Sequence, residues 1–339
     1  TWLQEFLYIA GTTLKYMIMS AKTKFLLIQG LLTFLFVLPV DSQTVNEWRG
    51  SGRTGIYSES SLLKSWPAAG PSLLWESMDA GTGFSSVTVT DDAVYITGRK
   101  GDHDYLTAYT QDGKVKWSTQ YGKASDSNYP DSRSTATWSN GRLYLVSGAG
   151  DMVCIGTDGK IIWSVNYFKK YYASEPLNGV SESPLIVDNK VIGTPGGNIA
   201  SMVAFNVENG KTIWEAPPVN ELTNYVNPLL ILNGSNKIIV TWTAHHLIAV
   251  SALNGKRLWK IHCEGLNTEQ LERRNRVNTP VYRDGHILAA NGYDQVAIKV
   301  KINPDGTDPV IVWKNTDLDP HVGGMVLAGN YIFSSTHET

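Results

Sequence analysis

The sequence predicts an all-β protein, a β-propeller whose blades are four-stranded antiparallel sheets. Three observations predict it. One turn recurs four times, in QDGKVKW ending at Trp117, TDGKIIW at Trp163, ENGKTIW at Trp214 and LNGKRLW at Trp259. Tryptophans recur at Trp75, Trp117, Trp163, Trp214, Trp259 and Trp313, with gaps of 42, 46, 51, 45 and 54 residues. Between them, apolar and polar residues alternate at strand period, and no helical period appears after residue 45. A period near 45 that yields only strands is the spacing of propeller blades.

The chain divides into three parts. Residues 1–16 precede Met17 and are expected to lie outside the fold as an upstream artefact or a disordered stretch. Residues 17–42 read as a signal peptide: Lys22 and Lys24, then the apolar run FLLIQGLLTFLFVLPV, then a small residue at Ser42. The run is short for a membrane span, and no cysteine follows it, so neither a stable span nor a lipid anchor is expected. Residues 43–339 form the propeller, expected in the periplasm or outside the cell and incomplete at its C-terminus.

Each unit is justified strand by strand. First strands read SSVTVTDD, STATWSNG, ESPLIVDN, NPLLILNG and NTPVYRDG, each ending in a turn pair. Second strands read AVYITG, RLYLVSG, KVIGTPG, KIIVTW and HILAANG; third strands read YLTAYT, DMVCIGT, SMVAFNV, HLIAVSA and QVAIKVK. The recurring turn then leads into a fourth strand expected to end at the tryptophan. Gly113, Gly159, Gly210 and Gly255 supply positive φ in that turn. Trp117, Trp163, Trp214 and Trp259 offer a flat face to the neighbouring blade. The fifth unit carries an insertion, NPDGTDPVIVW, before Trp313. HVGGMVLAGNYIFSSTHET adds two strands, and PSLLWES is expected to add one outer strand. The count is five full blades and two partial ones.

The turn and its tryptophan, as in TAYTQDGKVKW and VAFNVENGKTIW, resemble the docking motif of pyrroloquinoline-quinone-type propeller repeats. NEWRGSGRTGIYSE resembles the opening of secreted bacterial members of that family. The resemblance covers residues 46–339 and implies eight blades in a complete ring. WD40 repeats would need Asp after the tryptophan, where this chain has Ser118, Ser164, Glu215 and Lys260. For members that bind the quinone, the resemblance implies a funnel site with calcium and a vicinal disulfide. Other members, such as the propeller of the outer-membrane assembly machinery, are scaffolds.

Propeller geometry places a site where the loops leaving each tryptophan enter the next innermost strand. Those loops hold Ser85, Ser86, Arg133, Ser134, Glu182, Ser183, Tyr225, Asn227, Arg274, Arg276, Asn278 and His321. The ligand-binding candidates are Arg133, Glu182, Asn227, Arg274, Arg276, Asn278 and His321. The same groups can instead hydrogen-bond neighbouring blades. ERRNR, residues 272–276, is read as a solvated loop or an anion clamp. YFKKYYASEP, residues 167–176, is read as either a partner or sugar surface or an inward-packed loop. GDHDY and the adjacent His245 and His246 lack metal-site spacing, so no metal is expected. GTPGGN lacks the end of a phosphate loop and reads as a hairpin turn. No G-x-S-x-G is present.

Cys154 and Cys263 lie a whole unit apart and predict no disulfide. A net charge of -2 leaves no basic excess for nucleic acid. The expected function is a binding or scaffold propeller without redox activity or cofactor, meeting a protein partner or a small polar or glycan ligand at one face. The alternatives are a quinone-dependent alcohol or polyol dehydrogenase using calcium, and a carbohydrate-binding propeller.

Overall fold

The structure, a computed structural model, describes residues 45–263, 275–292 and 295–336. The expected segments 1–16 and 17–42, and Arg274, lie outside the described residues. Among the described residues five antiparallel blades of four strands in chain order follow one another, the second carrying an added fifth strand. Blade 1 comprises Thr88–Val89, Val94–Lys100, His103–Tyr109 and Val115–Lys123. Blade 2 comprises Thr137–Ser139, Arg142–Val146, Asp151–Gly156 and Ile161–Asn166. Blade 3 comprises Leu185–Val187, Lys190–Gly193, Val203–Asn206 and Thr212–Glu215. Blade 4 comprises Leu229–Asn233, Asn236–Trp242, His246–Ser251 and Arg257–His262. Blade 5 comprises Val281–Arg283, His286–Ala289, Ala297–Lys301 and Val310–Asn315. A last pair, Val326–Ala328 and Tyr331–Phe333, follows.

The core lies between the blades rather than within one. Strand alternation puts Leu143, Leu145, Val153 and Ile155 of blade 2 against Tyr95, Leu106 and Ala108 of blade 1. The intervening Tyr144, Val146, Met152 and Cys154 face Val191, Val203 and Phe205 of blade 3. Blade 3 repeats the device, turning Ile192, Met202 and Ala204 toward Ile239 and Val250 of blade 4. A two-residue period thus lets each sheet bury both faces.

The tryptophans close these interfaces on their outer side. Trp117, Trp163, Trp214 and Trp259 each donate an indole hydrogen bond to the third-to-fourth turn of the following blade, at Thr157, Val207, Ala252 and Gly306. A Cβ on Gly159, Gly210 or Gly255 would fall 2.8, 2.8 or 2.5 Å from the docked ring. Those glycines have φ of 83, 67 and 71°, so both conformation and space demand glycine. The insertion before Trp313 preserves the turn, since Gly306 has φ 84° and its carbonyl takes the Trp259 indole.

Two expectations need correction. The fourth strands run past the tryptophan. The residue before it is bulged, and the indole pairs across the ladder from Ala108, Cys154, Ala204, Ala249 or Lys299. The bulge re-aims the side chain, and four of the five cross-strand neighbours are small enough to leave the ring room. PSLLWES joins no ladder. It contributes Trp75 instead, which stacks on Tyr109 at 5.7 Å and donates to Gln111 in the blade 1 turn.

Candidate functional site

The channel along the innermost strands is threaded by residues 45–55. Val45–Asn46 pairs antiparallel with Thr137–Ser139 as a fifth, innermost strand of blade 2. Val45 lies opposite Ser139, so the arm enters at the hairpin end of the inner strands. There the Asn46 amide donates to Val89 O of blade 1 at 2.7 Å. Arg53 emerges at the other end, where the loops enter the inner strands. Its guanidinium donates to Ser183 O, Pro184 O and Pro228 O at 2.9, 2.7 and 3.0 Å, and to the Glu47 carboxylate at 2.8 Å. Arg53 is 3% exposed. Arg49 donates to Met325 O, just before the last strand pair.

The opening motif builds this arm. Gly50, Gly52 and Gly55 have positive φ, and a Cβ on Gly55 would sit 2.9 Å from the Arg49 guanidinium. Arg49 and Arg53 themselves hold left-handed backbone, at φ 63 and 58°. Non-glycine residues persist there only when their surroundings over-determine them.

Around the arm, polar loop residues bond blade to blade. Ser86 N donates to Thr135 Oγ1, Thr135 N to Ser183 Oγ and Ser183 N to Asn227 Oδ1. Thr279 Oγ1 then donates to Asn227 O, and the Asn278 amide to Pro320 O and His321 O. Arg276 N donates to Asn224 Oδ1, and its guanidinium covers the Trp242 ring at 4.8 Å. Arg133 donates to Asn178 O and Tyr129 O, and burial lowers its pKa. Arg133, Glu182, Asn227, Arg276, Asn278 and the backbone of His321 therefore all lie at the entry end of the inner strands.

Glu182 is the most perturbed of them. It is buried, and Oε2 accepts from Thr194 N and Oγ1 at 3.1 and 2.7 Å. Oε1 and the neighbouring Tyr167 hydroxyl close no hydrogen bond, although each feels the other. Burial pushes Glu182 up to about 7 against the opposing Thr194 bonds and the Arg53 charge. On the third strand of blade 1, burial pushes Asp104 up to about 6. Glu221 behaves in the opposite way. Burial works to raise it, but the Thr243 hydroxyl, the His245 amide and His246 outweigh that and lower it.

Sequence reasoning missed a polar residue that recurs on the second strand or just past its end: Thr97 within Val94–Lys100, then Ser147, Thr194, Thr243 and Asn291 beyond their strands. They bond Ser134 O, Asp151, Glu182, Glu221 and the Val277 and Asn278 amides. Their spacings of 50, 47, 49 and 48 residues are the repeat period, so the signal was present.

The remaining motifs resolve simply. YFKKYY contains a one-turn helix, Tyr167–Lys170, capped by Asn166; of its aromatics Tyr167, Phe168 and Tyr171 are buried and Tyr172 is exposed. This inward packing removes most of the aromatic surface that suggested a sugar site. GTPGGN is no simple hairpin: Gly196–Gly197 pairs with Glu221–Leu222. Both cysteines are free, and burial pushes each up to about 11.

The channel does not fit the quinone-and-calcium set implied by the resemblance. Glu182, Asn227 and Asn278 already bind protein groups, the two cysteines are not adjacent, and the arm lines the inner edge. No group of three His, Cys, Asp or Glu side chains is placed for a metal among the described residues. No helix among the described residues is long and apolar enough to cross a membrane.

The chain is 22% identical over 225 residues to the uncharacterized protein RC0314 of Rickettsia conorii, covering 65% of this chain and 50% of that protein. It is 29% identical over 152 residues to the quinoprotein alcohol dehydrogenase PedH of Pseudomonas putida, covering 41% of this chain and 23% of that protein. It therefore spans half or less of these relatives' own lengths. Among solved structures, BamB from Moraxella catarrhalis aligns with TM-score 0.49 at 15% identity, over 74% of this chain and 69% of that one. The quinohemoprotein alcohol dehydrogenase from Comamonas testosteroni aligns with TM-score 0.46 at 12% identity, over 71% and 44%. The family profile described as outer membrane protein assembly factor BamB, PQQ_2, matches residues 125–339, and the chain belongs to that family.

Proposed function

We propose that this propeller is a non-catalytic binding scaffold working in the periplasm or outside the cell, with a protein partner on the face where the inner strands begin. One observation carries the reading: the polar groups at that end bond blade to blade around an arm from the same chain. Loops tied from blade to blade in this way suit a docking platform better than a reaction centre. Tyr129, Tyr172 and Leu177 stand exposed on the same loops and supply the apolar anchors a partner needs. The family's description as an assembly factor supports this choice.

The second reading is a quinone-dependent dehydrogenase, favoured by the 29% identity to PedH. Titrating the full chain with pyrroloquinoline quinone and calcium, followed by quinone fluorescence, separates the two. The scaffold expects no saturable binding. Saturation accompanied by dye reduction with an alcohol would overturn it.

A further inference from the structure

The arm is held as a ligand is held rather than as core. Of residues 45–57 only Arg53 is buried, and none belongs to an apolar cluster between blades. Its grip on the ring is polar and directed at main chain. The ring offers the edge of Thr137–Ser139 and the carbonyls of Val89, Ser183, Pro184, Pro228 and Met325. The arm supplies a strand, one amide and two guanidinium groups. Beyond Tyr57, residues 58–69 are wholly exposed, so the covalent connection to blade 1 runs through solvent.

We infer that the inner edge of the channel is a peptide-binding groove, filled in cis by residues 45–55. Its chemistry selects an extended segment that adds a strand to blade 2 and presents an arginine to three converging carbonyls. Strand addition supplies affinity through main-chain bonds, and the arginine supplies register. The spacing is set by Asn46 and Arg53, seven residues apart, which reach opposite ends of the channel. The groove recognises side chains only weakly on its own side, because carbonyls are common to every residue. Specificity therefore rests with the peptide: the left-handed backbone of Arg49, Gly50, Gly52, Arg53 and Gly55, and Glu47, which pairs with Arg53 inside the arm.

The test uses the full chain with a site-specific protease sequence inserted between Lys64 and Ser65, both exposed. After cleavage, the N-terminal piece is expected to co-elute with the folded ring. A fluorescent peptide spanning residues 43–57 in excess is expected to displace it saturably, read by anisotropy. The Arg53→Ala peptide is expected to bind about tenfold more weakly or worse, because it leaves three carbonyls without their charged donor. The proposal is overturned by loss of the piece on cutting, by unfolding of the cut ring, or by failure of the peptide to exchange. Equal binding of the Arg53→Ala peptide overturns it as well.

Discussion

Trp214 and Trp313 hold the same place in blades 3 and 5 and have different surroundings. Trp214 is 7% exposed, with its ring on Gly255 and its indole N–H on Ala252 O. Trp313 is 42% exposed and lines an open groove of about 860 Å³ with Val281, Leu288, Val312, Leu327 and Ile332. The repeat encodes a side chain, and the following blade's turn encodes its partner. Among the described residues no turn glycine meets the Trp313 ring.

The largest expected effect falls on the docked member. Trp214→Ala should destabilise the propeller by about 3–5 kcal/mol, read by urea denaturation. Gly255→Ala should act in the same direction, since a Cβ there meets the Trp214 ring at 2.5 Å. Arg53→Met tests whether the arm belongs with the buried interfaces or with the open end. A loss of about 3 kcal/mol is expected, because the variant strands Glu47 and three carbonyls.

A pH series sharpens the contrast. The folded Glu182 binds its proton more tightly than the unfolded chain does, because burial raises it from 4.5 to about 7. Its contribution is complete below about 4.5 and is lost as pH rises through about 7, on the order of 1–3 kcal/mol. Glu182→Gln should flatten that slope between pH 4.5 and 7 in denaturation midpoints. Trp313→Ala should be the mildest change, at about 1 kcal/mol or less, because half-exposed surface is already in contact with water.

Much of the fold was legible because the repeat writes it several times over. Glycine turns, alternating strands and tryptophan spacing each specify the same unit, so an error in one strand is corrected by its copies. The bulge before each tryptophan was not read, although the small residue opposite the ring at Ala108, Cys154, Ala204 and Ala249 recurs with the period. The loops holding Arg133, Glu182, Asn227, Arg276 and Asn278 meet at the entry end of the inner strands. Their bonds to neighbouring blades could not be read, since partners such as Ser183 and Asn227 are joined only by the ring's curvature. The arm was the least legible element. NEWRGSGRTG carries a motif, but its partners lie 43 to 276 residues away and are mostly carbonyls, which leave no mark in the sequence. PSLLWES misled because its apolar run looks like a strand, while its structural content is the single side chain of Trp75.

The most direct measurement is amide hydrogen exchange on the full chain, comparing residues 45–53 with the exposed stretch 58–69 and with the inner strand Thr137–Ser139. An arm that threads the channel should exchange slowly at Asn46 and around Arg53, close to the rate of the blade 2 inner strand and far slower than residues 58–69. Exchange across residues 45–53 as fast as in the exposed stretch would contradict the threaded channel, and with it the reading of the mouth as a scaffold closed around its own arm.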